Sequence, residues 1–335
     1  PEFRCTLVDL SRDADEIDSL VRELEADGDE DQVALRGPDR LVARLRPWSP
    51  APTAEQARSA PVADRAFRAA TSSPGILDGL GLREVIRRSP GPGQVEIRVQ
   101  ATGLNFLNVM SALGIYPGYP HGVGPLGVEC AGQLTAVGEG VEPLRVGDEV
   151  LAVAFDCLAS HAVADARLVR RRPVALTVEE AATLPIVFLT AHYALNDLGR
   201  LRKGERVLIH AAAGGVGLAA VQGAHHVGAE VFATAGSPEK RALVESMGVR
   251  HVMDSRSLAF REQVLERTGG EGVDVVLNSL AGEFVPANLG LLRPYGRFLE
   301  IGKKDIYRDA QIGLAPFRRN LSYFAIDLDR MIRER

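Results

Sequence analysis

The sequence predicts an α/β fold in which an antiparallel, β-rich region precedes a doubly wound parallel sheet. Short strands separated by glycine and proline turns fill the chain from about residue 82 to residue 165. After residue 195 strands and helices alternate instead. The turn between the first strand and the first helix of that second region, residues 211–217, is rich in glycine. Together these observations indicate two lobes, with a ligand site where the glycine turn lies.

Composition limits the classes of function. The 335 residues carry a net charge of −5 and are 46% hydrophobic, which is typical of a folded protein in solution. No run approaches the roughly 18 apolar residues of a membrane span, and no secretion signal is evident. The acidic balance disfavours a nucleic-acid partner. Three cysteines are too few for a disulfide framework or a four-cysteine zinc lobe. We therefore expect a cytoplasmic protein without a membrane or nucleic-acid partner.

The first 50 residues form a separate appendage. Residues 11–31 contain ten acidic residues and two arginines, and residues 47–62 have the proline and alanine content of a linker. The elements predicted here are a strand at 5–10, an amphipathic helix from Ile17 to Leu24, and a hairpin that turns at Gly37. The composition alone leaves two interpretations open: an extension that packs on its own protein, or the tail of a preceding domain.

The main body begins with strands at 82–87 and 94–101, and the second of these alternates strictly between apolar and polar residues. The later region has the βα alternation of a parallel sheet. Its predicted strands lie at 206–211, 230–235, 251–254, 274–278 and 297–302, and its predicted helices lie at 216–227, from residue 237, and near 258–268.

The glycine turn predicts a nucleotide site. Glycine allows the backbone to approach a pyrophosphate that is held at the start of the following helix. The residues predicted to form this cradle are Ala213, Gly214, Gly215, Val216 and Gly217.

The end of the second strand predicts the choice of cofactor. A carboxylate at that position would accept a hydrogen bond from the ribose 2′-hydroxyl of NADH and would repel a 2′-phosphate. The sequence instead has Ser237 followed by Lys240 and Arg241, and Arg256 follows the next strand. A hydroxyl and cations favour a phosphate, so we expect NADPH. The alternative is that Lys240 and Arg241 are ordinary exposed charges of a helix.

Several segments resemble the medium-chain dehydrogenase/reductase superfamily, namely GPGQVEIRVQATGLNF (91–106), GVECAGQLTAVGEGVEPLRVGDEVLA (127–152) and AAAGGVGLAAVQ (211–222). Four further segments resemble the enoylreductase domains of polyketide synthases and of animal-type fatty acid synthases. They are LNFLNVMSALGIYPG (104–118), LPIVFLTAHYAL (184–195), VDVVLNSLAGEF (273–284) and GRFLEIGKKDI (296–306). The first 46 residues also resemble the structural tail that precedes this domain in such synthases.

The resemblance implies a domain plan. Residues 75–195 and 311–335 would form a GroES-like substrate lobe, residues 196–310 a Rossmann NADPH-binding domain, and residues 1–50 the tail of a preceding domain or a linker. In the family one more strand–helix set follows residue 335, so the substrate lobe is expected to be incomplete at its C-terminal part.

The resemblance also implies a site without metal. Zinc-dependent relatives have a cysteine where this chain has Asn105-Phe106, and Gly-His-Glu where it has Gly127-Val128-Glu129. Both positions lack the ligand that a catalytic zinc would need. Cys130 is interpreted as a small core residue.

Lys303 follows the last predicted strand, and the carboxyl ends of parallel strands border the ligand crevice. The resemblance implies that this lysine is a proton donor or stabilises an enolate, with Asp327 as its acidic partner. Lys304 is adjacent, and alternation at a strand end favours Lys303 as the inward residue. The alternative for Asp327 is a surface acid beside Asp329.

Tyr116 matches a tyrosine that, in some polyketide enoylreductases, is linked to the configuration of an α-methyl branch. Its phenol would donate a proton to Cα, and the alternative is a loop tyrosine that only packs. By the same resemblance, the residues expected around the nicotinamide and its ribose are Asn105, Thr190, Asn278 and Ser279.

The predicted activity is the NADPH-dependent reduction of a trans-2-enoyl thioester carried on an acyl carrier protein. Ketoreductase and dehydratase domains of the same synthase are the expected neighbours, and a homodimer is a further implied partner. Two alternatives remain: a stand-alone zinc-free quinone oxidoreductase, and a structural module that binds the cofactor without turnover.

Overall fold

The structure is a computed structural model, and it describes residues 6–10, 17–26, 30–42, 65–71, 75–116 and 124–334. The chain divides into two compact units, Pro1–Pro61 and Val62–Arg335. None of the helices in these described ranges is long and apolar enough to cross a membrane.

The described residues of the first unit form a three-stranded sheet and one helix. In chain order its elements are β1 (Leu7–Leu10), α1 (Ile17–Glu25), β2 (Gln32–Arg36) and β3 (Asp39–Val42). Strand β2 pairs in parallel with β1 and antiparallel with β3. The predicted helix and hairpin are confirmed.

The second unit begins with the β-rich lobe. Its elements are β4 (Phe67–Thr71), β5 (Leu80–Glu84), β6 (Gln94–Thr102), α2 (Phe106–Ala112), β7 (Glu129–Val137), β8 (Glu149–Val153), β9 (His161–Asp165) and β10 (Val169–Arg171). Five of these strands form an antiparallel sheet in the order β10-β8-β7-β6-β9, and β4 pairs with β5. The alternation in β6 places Val95 and Ile97 in the core of this lobe, as predicted.

A six-stranded parallel sheet follows, in the order β13-β12-β11-β14-β15-β16. The elements of this part are α3 (Val178–Ala182), α4 (Pro185–His192), β11 (Arg206–Ile209), α5 (Gly215–Val227), β12 (Glu230–Ala235), α6 (Pro238–Ser246), β13 (His251–Asp254), α7 (Phe260–Arg267), β14 (Val273–Asn278), α8 (Phe284–Leu291), β15 (Leu292–Glu300), α9 (Lys304–Tyr307), β16 (Ser322–Ala325) and α10 (Leu328–Glu334). Apolar clusters cover both faces of this sheet, one against α4 and α5 and the other against α7 and α8. This is the doubly wound arrangement that the βα alternation predicted.

The structure corrects two predicted boundaries. The segment 311–335 was expected to belong to the β-rich lobe, but β16 pairs in parallel with β15 as the sixth strand of the Rossmann sheet. Pairing satisfies the backbone groups along the edge of β15, and Tyr323 stacks on Phe298. The predicted lobe boundary at residue 195 also differs, because Ala191 and Leu195 are buried in the core of the parallel sheet.

The strand order reverses between β11 and β14, and this point places the ligand crevice. In open α/β sheets, ligands bind outside the carboxyl ends of the strands at such a switch point. The loop after β11 is the glycine turn, and the loop after β14 begins at Ser279.

Gly217 allows α5 to pack closely on the end of β11. A Cβ atom at this position would lie 2.4 Å from the carbonyl oxygen of Ala211 and 2.5 Å from the Cα of Ala212. Only a residue without a side chain therefore permits this approach.

We predict that Gly217→Ala lowers the free energy of unfolding by about 1–3 kcal/mol, because the added methyl group forces the helix away from the strand. The matched control is Gly223→Ala on the same helix, where a Cβ would meet nothing within 4 Å. The control is expected to raise stability by up to about 1 kcal/mol through helix propensity. Urea denaturation measures both, and equal effects would contradict the proposed close packing.

Candidate active site

A cavity of about 730 Å³ opens where the β-rich lobe meets the carboxyl end of the parallel sheet. Most of its wall is apolar. The apolar lining residues are Phe106, Leu107, Met110, Ile115, Val128, Phe155, Ile186, Val216, Ala281, Ile301, Ile326, Leu328 and Ile332. The polar lining residues are Asn105, Tyr116, Thr190, Ser279, Lys303, Lys304, Tyr307, Arg308 and Asp329. Six residues that the sequence predicted for the site therefore share one cavity: Asn105, Tyr116, Thr190, Val216, Ser279 and Lys303.

The Lys303 side chain contacts the other two predicted catalytic residues, Tyr116 and Asp327. Its Nζ donates a hydrogen bond to Asp327 Oδ1 at 2.7 Å and another to the Tyr116 hydroxyl. The same Nζ lies 4.7 Å from the centroid of the Tyr116 ring, which is within cation–π range. The Lys303 side chain is 18% exposed, whereas Lys304 is exposed on the first turn of α9. Between the two lysines, the geometry favours Lys303 as the inward one.

Tyr116 is 3% exposed, and its hydroxyl donates to Asp329 Oδ2 at 3.3 Å. Burial raises the pKa of this phenol far above its ordinary value, and the carboxylates of Asp329 and Asp327 raise it further. The phenol therefore keeps its proton at neutral pH. Asp329 in turn accepts from Arg333 at 2.8 Å. Sequence reasoning treated Asp329 only as a surface neighbour of Asp327, but it is buried in the cavity wall.

A second buried carboxylate, Glu129, orients Asn105. The Asn105 amide donates to Glu129 Oε1 at 2.7 Å, and the backbone N–H of Ile186 donates to Oε2 at 2.8 Å. Burial raises the pKa of Glu129, and these two donors partly offset that effect. The carboxylate thus joins the loop before α2 to the first turn of α4. Sequence reasoning assigned no role to Glu129, although a carboxylate at the start of a buried strand is a signal that such a partner exists.

The predicted glycine cradle lies between β11 and α5. Gly214 precedes the helix, its N–H donates to the carbonyl of Ala211 at 2.8 Å, and Ala211 itself has a left-handed φ of 49°. The turn directs the start of a 13-residue helix toward the crevice, where free N–H groups favour an anion. A Cβ atom at Gly215 would lie 2.8 Å from a methyl group of Val187, so a larger residue there would force Val187 to shift.

The residues expected around a 2′-phosphate lie at the ends of β12 and β13. Ser237 is the N-cap of α6 and accepts from Lys240 N at 3.3 Å. The guanidinium of Arg256 packs over Gly236, since a Cβ there would meet its Nε at 3.4 Å. Arg241 donates to the carbonyl of Ala235 at 3.3 Å, while Lys240 is exposed. Ser237, Lys240, Arg241 and Arg256 thus lie on the two segments that follow β12 and β13, where Arg241 also pairs with Asp254 at 3.8 Å.

Asn278 was predicted to contact the nicotinamide ribose, but the structure places it in the interior. It is fully buried, and its amide donates to Leu280 O at 2.7 Å and to Glu300 Oε2 at 2.5 Å. With these hydrogen bonds made inside the protein, the side chain has no free group for direct contact. Ser279, the next residue, does line the cavity.

A zinc ion does not fit this site. Cys130 is buried in the core of the β-rich lobe, and Asn105 and Val128 stand in the cavity wall where zinc-dependent relatives have ligands. Across the portion of the chain covered by the structure, no three His, Cys, Asp or Glu side chains form a group that could hold a metal ion.

Comparison with known proteins agrees with the two lobes. Residues 91–176 match the family model of the alcohol dehydrogenase GroES-like domain, and residues 215–327 match that of the zinc-binding dehydrogenases. The second match ends after β16, in agreement with the place of that strand in the parallel sheet. That family is named for zinc, which the residues here do not fit.

Among solved structures, the CurK enoyl reductase is 44% identical, with a TM-score of 0.75 over 81% of this chain and 84% of that one. The chain belongs to the polyketide synthase enoyl reductase family of the medium-chain dehydrogenase/reductases. A mycobacterial protein solved with NADPH is 29% identical, with a TM-score of 0.70 over 80% of this chain and 83% of that one. As a member of this family, the present chain is an oxidoreductase of the medium-chain type, and it has a Rossmann domain for a nicotinamide cofactor.

A curated relative places the sequence in a larger context. The phthioceranic/hydroxyphthioceranic acid synthase of Mycobacterium tuberculosis is 44% identical over 332 residues. The match covers 98% of this chain but only 15% of that protein. A phenolphthiocerol/phthiocerol polyketide synthase protein of the same organism is also 44% identical, and the chain covers 16% of it. The chain therefore spans about one sixth of the length of these relatives.

We predict that Lys303→Ala lowers turnover by roughly 10²-fold or more, because it removes the cation that contacts both Tyr116 and Asp327. Lys304→Ala is the matched control, and the loss expected there is several-fold at most, since that side chain is exposed. Steady-state kinetics at saturating cofactor measures both variants. Losses of equal size would contradict the assignment of Lys303 as the inward lysine.

Proposed function

We propose that this reductase carries out the NADPH-dependent reduction of a trans-2-enoyl thioester, borne by an acyl carrier protein, to the saturated acyl thioester. The contact of Lys303 with Tyr116 and Asp327 in the wall of a largely apolar cavity carries the proposal. An apolar cavity suits an acyl chain, and the polar end offers a cation and a protonated phenol where an enolate needs both.

The cofactor would lie along the glycine cradle and the cavity wall. The start of α5 would hold the pyrophosphate, while Asn105, Thr190 and Ser279 would surround the nicotinamide and its ribose. When bound, NADPH supplies a hydride, which the β-carbon of the enoyl group accepts. The remaining steps depend on groups of the protein.

The side chain of Lys303 would stabilise the negative charge that develops on the thioester oxygen as Cβ is reduced. Asp327 holds the ammonium in place by an ion pair of 2.7 Å. In a site that excludes water, a fixed cation is worth more than the same cation in solvent. Lys303 therefore acts by electrostatics, and Asp327 acts by orienting it.

Tyr116 would deliver the proton to Cα. Although its pKa is raised, an enolate carbon is a far stronger base than a phenolate, so the transfer is favourable. Lys303 donates a hydrogen bond to the phenol oxygen and would stabilise the phenolate until it is reprotonated. The C=C bond is thereby reduced by one hydride and one proton, and the cofactor is oxidised.

The cellular context of the reaction follows the relatives. A chain that matches about one sixth of a polyketide synthase would act within such a synthase, beside ketoreductase and dehydratase domains that prepare the enoyl group. A carrier protein would deliver the thioester to the cavity. The proposed setting is the cytoplasm.

The decisive test measures NADPH consumption with crotonyl-pantetheine and, separately, with a benzoquinone. We expect turnover of the thioester and little turnover of the quinone. Reduction of the quinone alone would overturn the proposal in favour of a quinone oxidoreductase. Tight binding of NADPH with neither substrate reduced would instead support a structural module.

We further predict that Arg256→Ala raises the KM for NADPH by roughly 10- to 100-fold, since one charge-assisted hydrogen bond to a phosphate contributes about 1.5–3 kcal/mol. The KM for NADH should change little. Arg267→Ala, an exposed arginine at the end of α7, serves as the control and should alter neither value. If Arg256→Ala raised the KM for NADPH and the KM for NADH to the same extent, a contact with the 2′-phosphate would be refuted.

A further inference from the structure

Glu300 is a buried carboxylate directly below the turn that carries Lys303. It is the last residue of β15 and is only 4% exposed. Its Oε1 accepts from the backbone N–H of Gly302 at 2.6 Å, and its Oε2 accepts from the Asn278 amide at 2.5 Å. Both of its partners are therefore neutral N–H donors.

The turn after β15 is wrapped tightly around this carboxylate. A Cβ atom at Gly302 would lie 2.6 Å from Oε1, so a side chain there would displace one or the other. Lys303 follows immediately, and its carbonyl accepts from Tyr307 N at 3.0 Å. The position of the Lys303 backbone is thus set on one side by Glu300 and on the other by α9.

A chain of buried hydrogen bonds extends from Glu300 across the sheet. Asn278 Oδ1 accepts from the Asn288 amide at 3.3 Å, and Asn288 Oδ1 lies 2.8 Å from His210 Nε2. His210 Nδ1 lies 2.8 Å from the hydroxyl of Thr234. Since the Asn288 amide nitrogen is directed to Asn278, its oxygen faces His210, which makes Nε2 the protonated nitrogen of that ring.

This chain connects the two parts of the site. Four of its members stand at the ends of β15, β14, β11 and β12, and the fifth, Asn288, lies on α8. The carbonyl of Thr234 accepts from Ala212 N in the glycine turn at 2.9 Å. Fully satisfied networks of this kind make a buried region rigid. The turn of Lys303 and the cradle for the cofactor are therefore held by one continuous set of contacts.

We infer that Glu300 is a positioning residue: its carboxylate fixes the Gly302 turn so that Lys303 reaches Tyr116 and Asp327. This inference rests on the proposed function for its meaning in turnover. Only a carboxylate offers two acceptors to the two donors that face it. A glutamine or a protonated acid would turn a donor toward an N–H group and lose one contact.

The ionisation of Glu300 gives the inference a pH signature. Burial raises the pKa of Glu300 to about 7, with the hydrogen bonds from Asn278 and Gly302 acting in the opposite direction and the charge of Asp305 raising it further. The carboxylate form, which accepts both hydrogen bonds, therefore predominates above pH 7 and is lost below it.

Two further buried groups near Glu300, Tyr323 and His210, titrate outside this range. Tyr323 on β16 has its pKa raised to about 12, mainly by burial. His210 has its pKa lowered to about 4 by burial. Asp305 faces the site from α9, where it accepts from Gly282 N.

The test compares the pH dependence of kcat between pH 5.5 and 8.5 for the wild-type chain and Glu300→Gln, with crotonyl-pantetheine and saturating NADPH. We expect the wild-type kcat to fall on the acid side with an apparent pKa near 7. Glu300→Gln should lose roughly 10- to 100-fold in kcat at pH 8, as a misplaced catalytic group does, and should lose the acid limb. Its KM for NADPH should change much less.

The control is Glu96→Gln, which removes an equally buried carboxylate from the β-rich lobe, where Arg87 and Thr135 are its donors. It should keep the wild-type pH profile even if stability falls. A wild-type kcat and profile in Glu300→Gln would overturn the inference, as would loss of the acid limb in Glu96→Gln.

Amide hydrogen exchange tests the positioning role of Glu300 independently of the proposed function, because it requires no turnover. If no enoyl thioester is reduced by the wild-type chain, the proposed function fails. The amide protection of residues 301–307 still decides the positioning role, since it depends on the Gly302 N–H bond and not on turnover. We expect protection there to fall in Glu300→Gln and at low pH, and unchanged protection would overturn the inference.

Discussion

The Lys303 ammonium lies in the wall of a largely apolar cavity, so its charge must be compensated by neighbouring groups. The arrangement of the site depends on this requirement. Transfer of a charge from water costs several kcal/mol unless a partner and hydrogen bonds replace its hydration. Lys303 has Asp327 at 2.7 Å and the hydroxyl and ring of Tyr116 as replacements. These three residues come from the segment after β15, from the segment between β16 and α10, and from the loop after α2. These residues can therefore meet only if the β-rich lobe and the parallel sheet are held in a fixed relative position.

The parallel sheet contributes to this arrangement because the carboxyl ends of all six of its strands lie along one edge. The glycine turn, Ser279 and Lys303 follow three of these strands and so reach the same crevice. Gly217 lets α5 approach β11 closely enough for the helix to start at that edge. Strand β16 then returns the chain to the sheet, and Asp327 follows it directly. The pairing of β16 with β15 thus places Asp327 within hydrogen-bond distance of Lys303.

Two buried carboxylates, Glu129 and Glu300, lower the stability of the folded protein but hold parts of the cavity wall in position. Glu129 and Glu300 each accept from two N–H groups, and burial raises the pKa of both. A raised pKa means that the ionised form is disfavoured in the folded protein, so each carboxylate reduces stability as pH rises toward its folded pKa. Apolar residues of the same size would avoid this cost. Each acid nevertheless holds a segment of the cavity wall, Asn105 in one case and the turn of Lys303 in the other.

The sequence by itself determined the β-rich and parallel regions, the glycine turn and the absence of a carboxylate directly at the end of β12, because these depend on local periodicity and on residue type. It also named Lys303, since the end of a parallel strand has a known place in the fold. It did not determine that β16 joins the parallel sheet, that Asn278 is buried, or that Asp329, Glu129 and Glu300 support the site. Those outcomes depend on side chains far apart in sequence that meet only when the lobes pack. A carboxylate that accepts two distant N–H groups leaves no local pattern, and only the tertiary structure decides its partners.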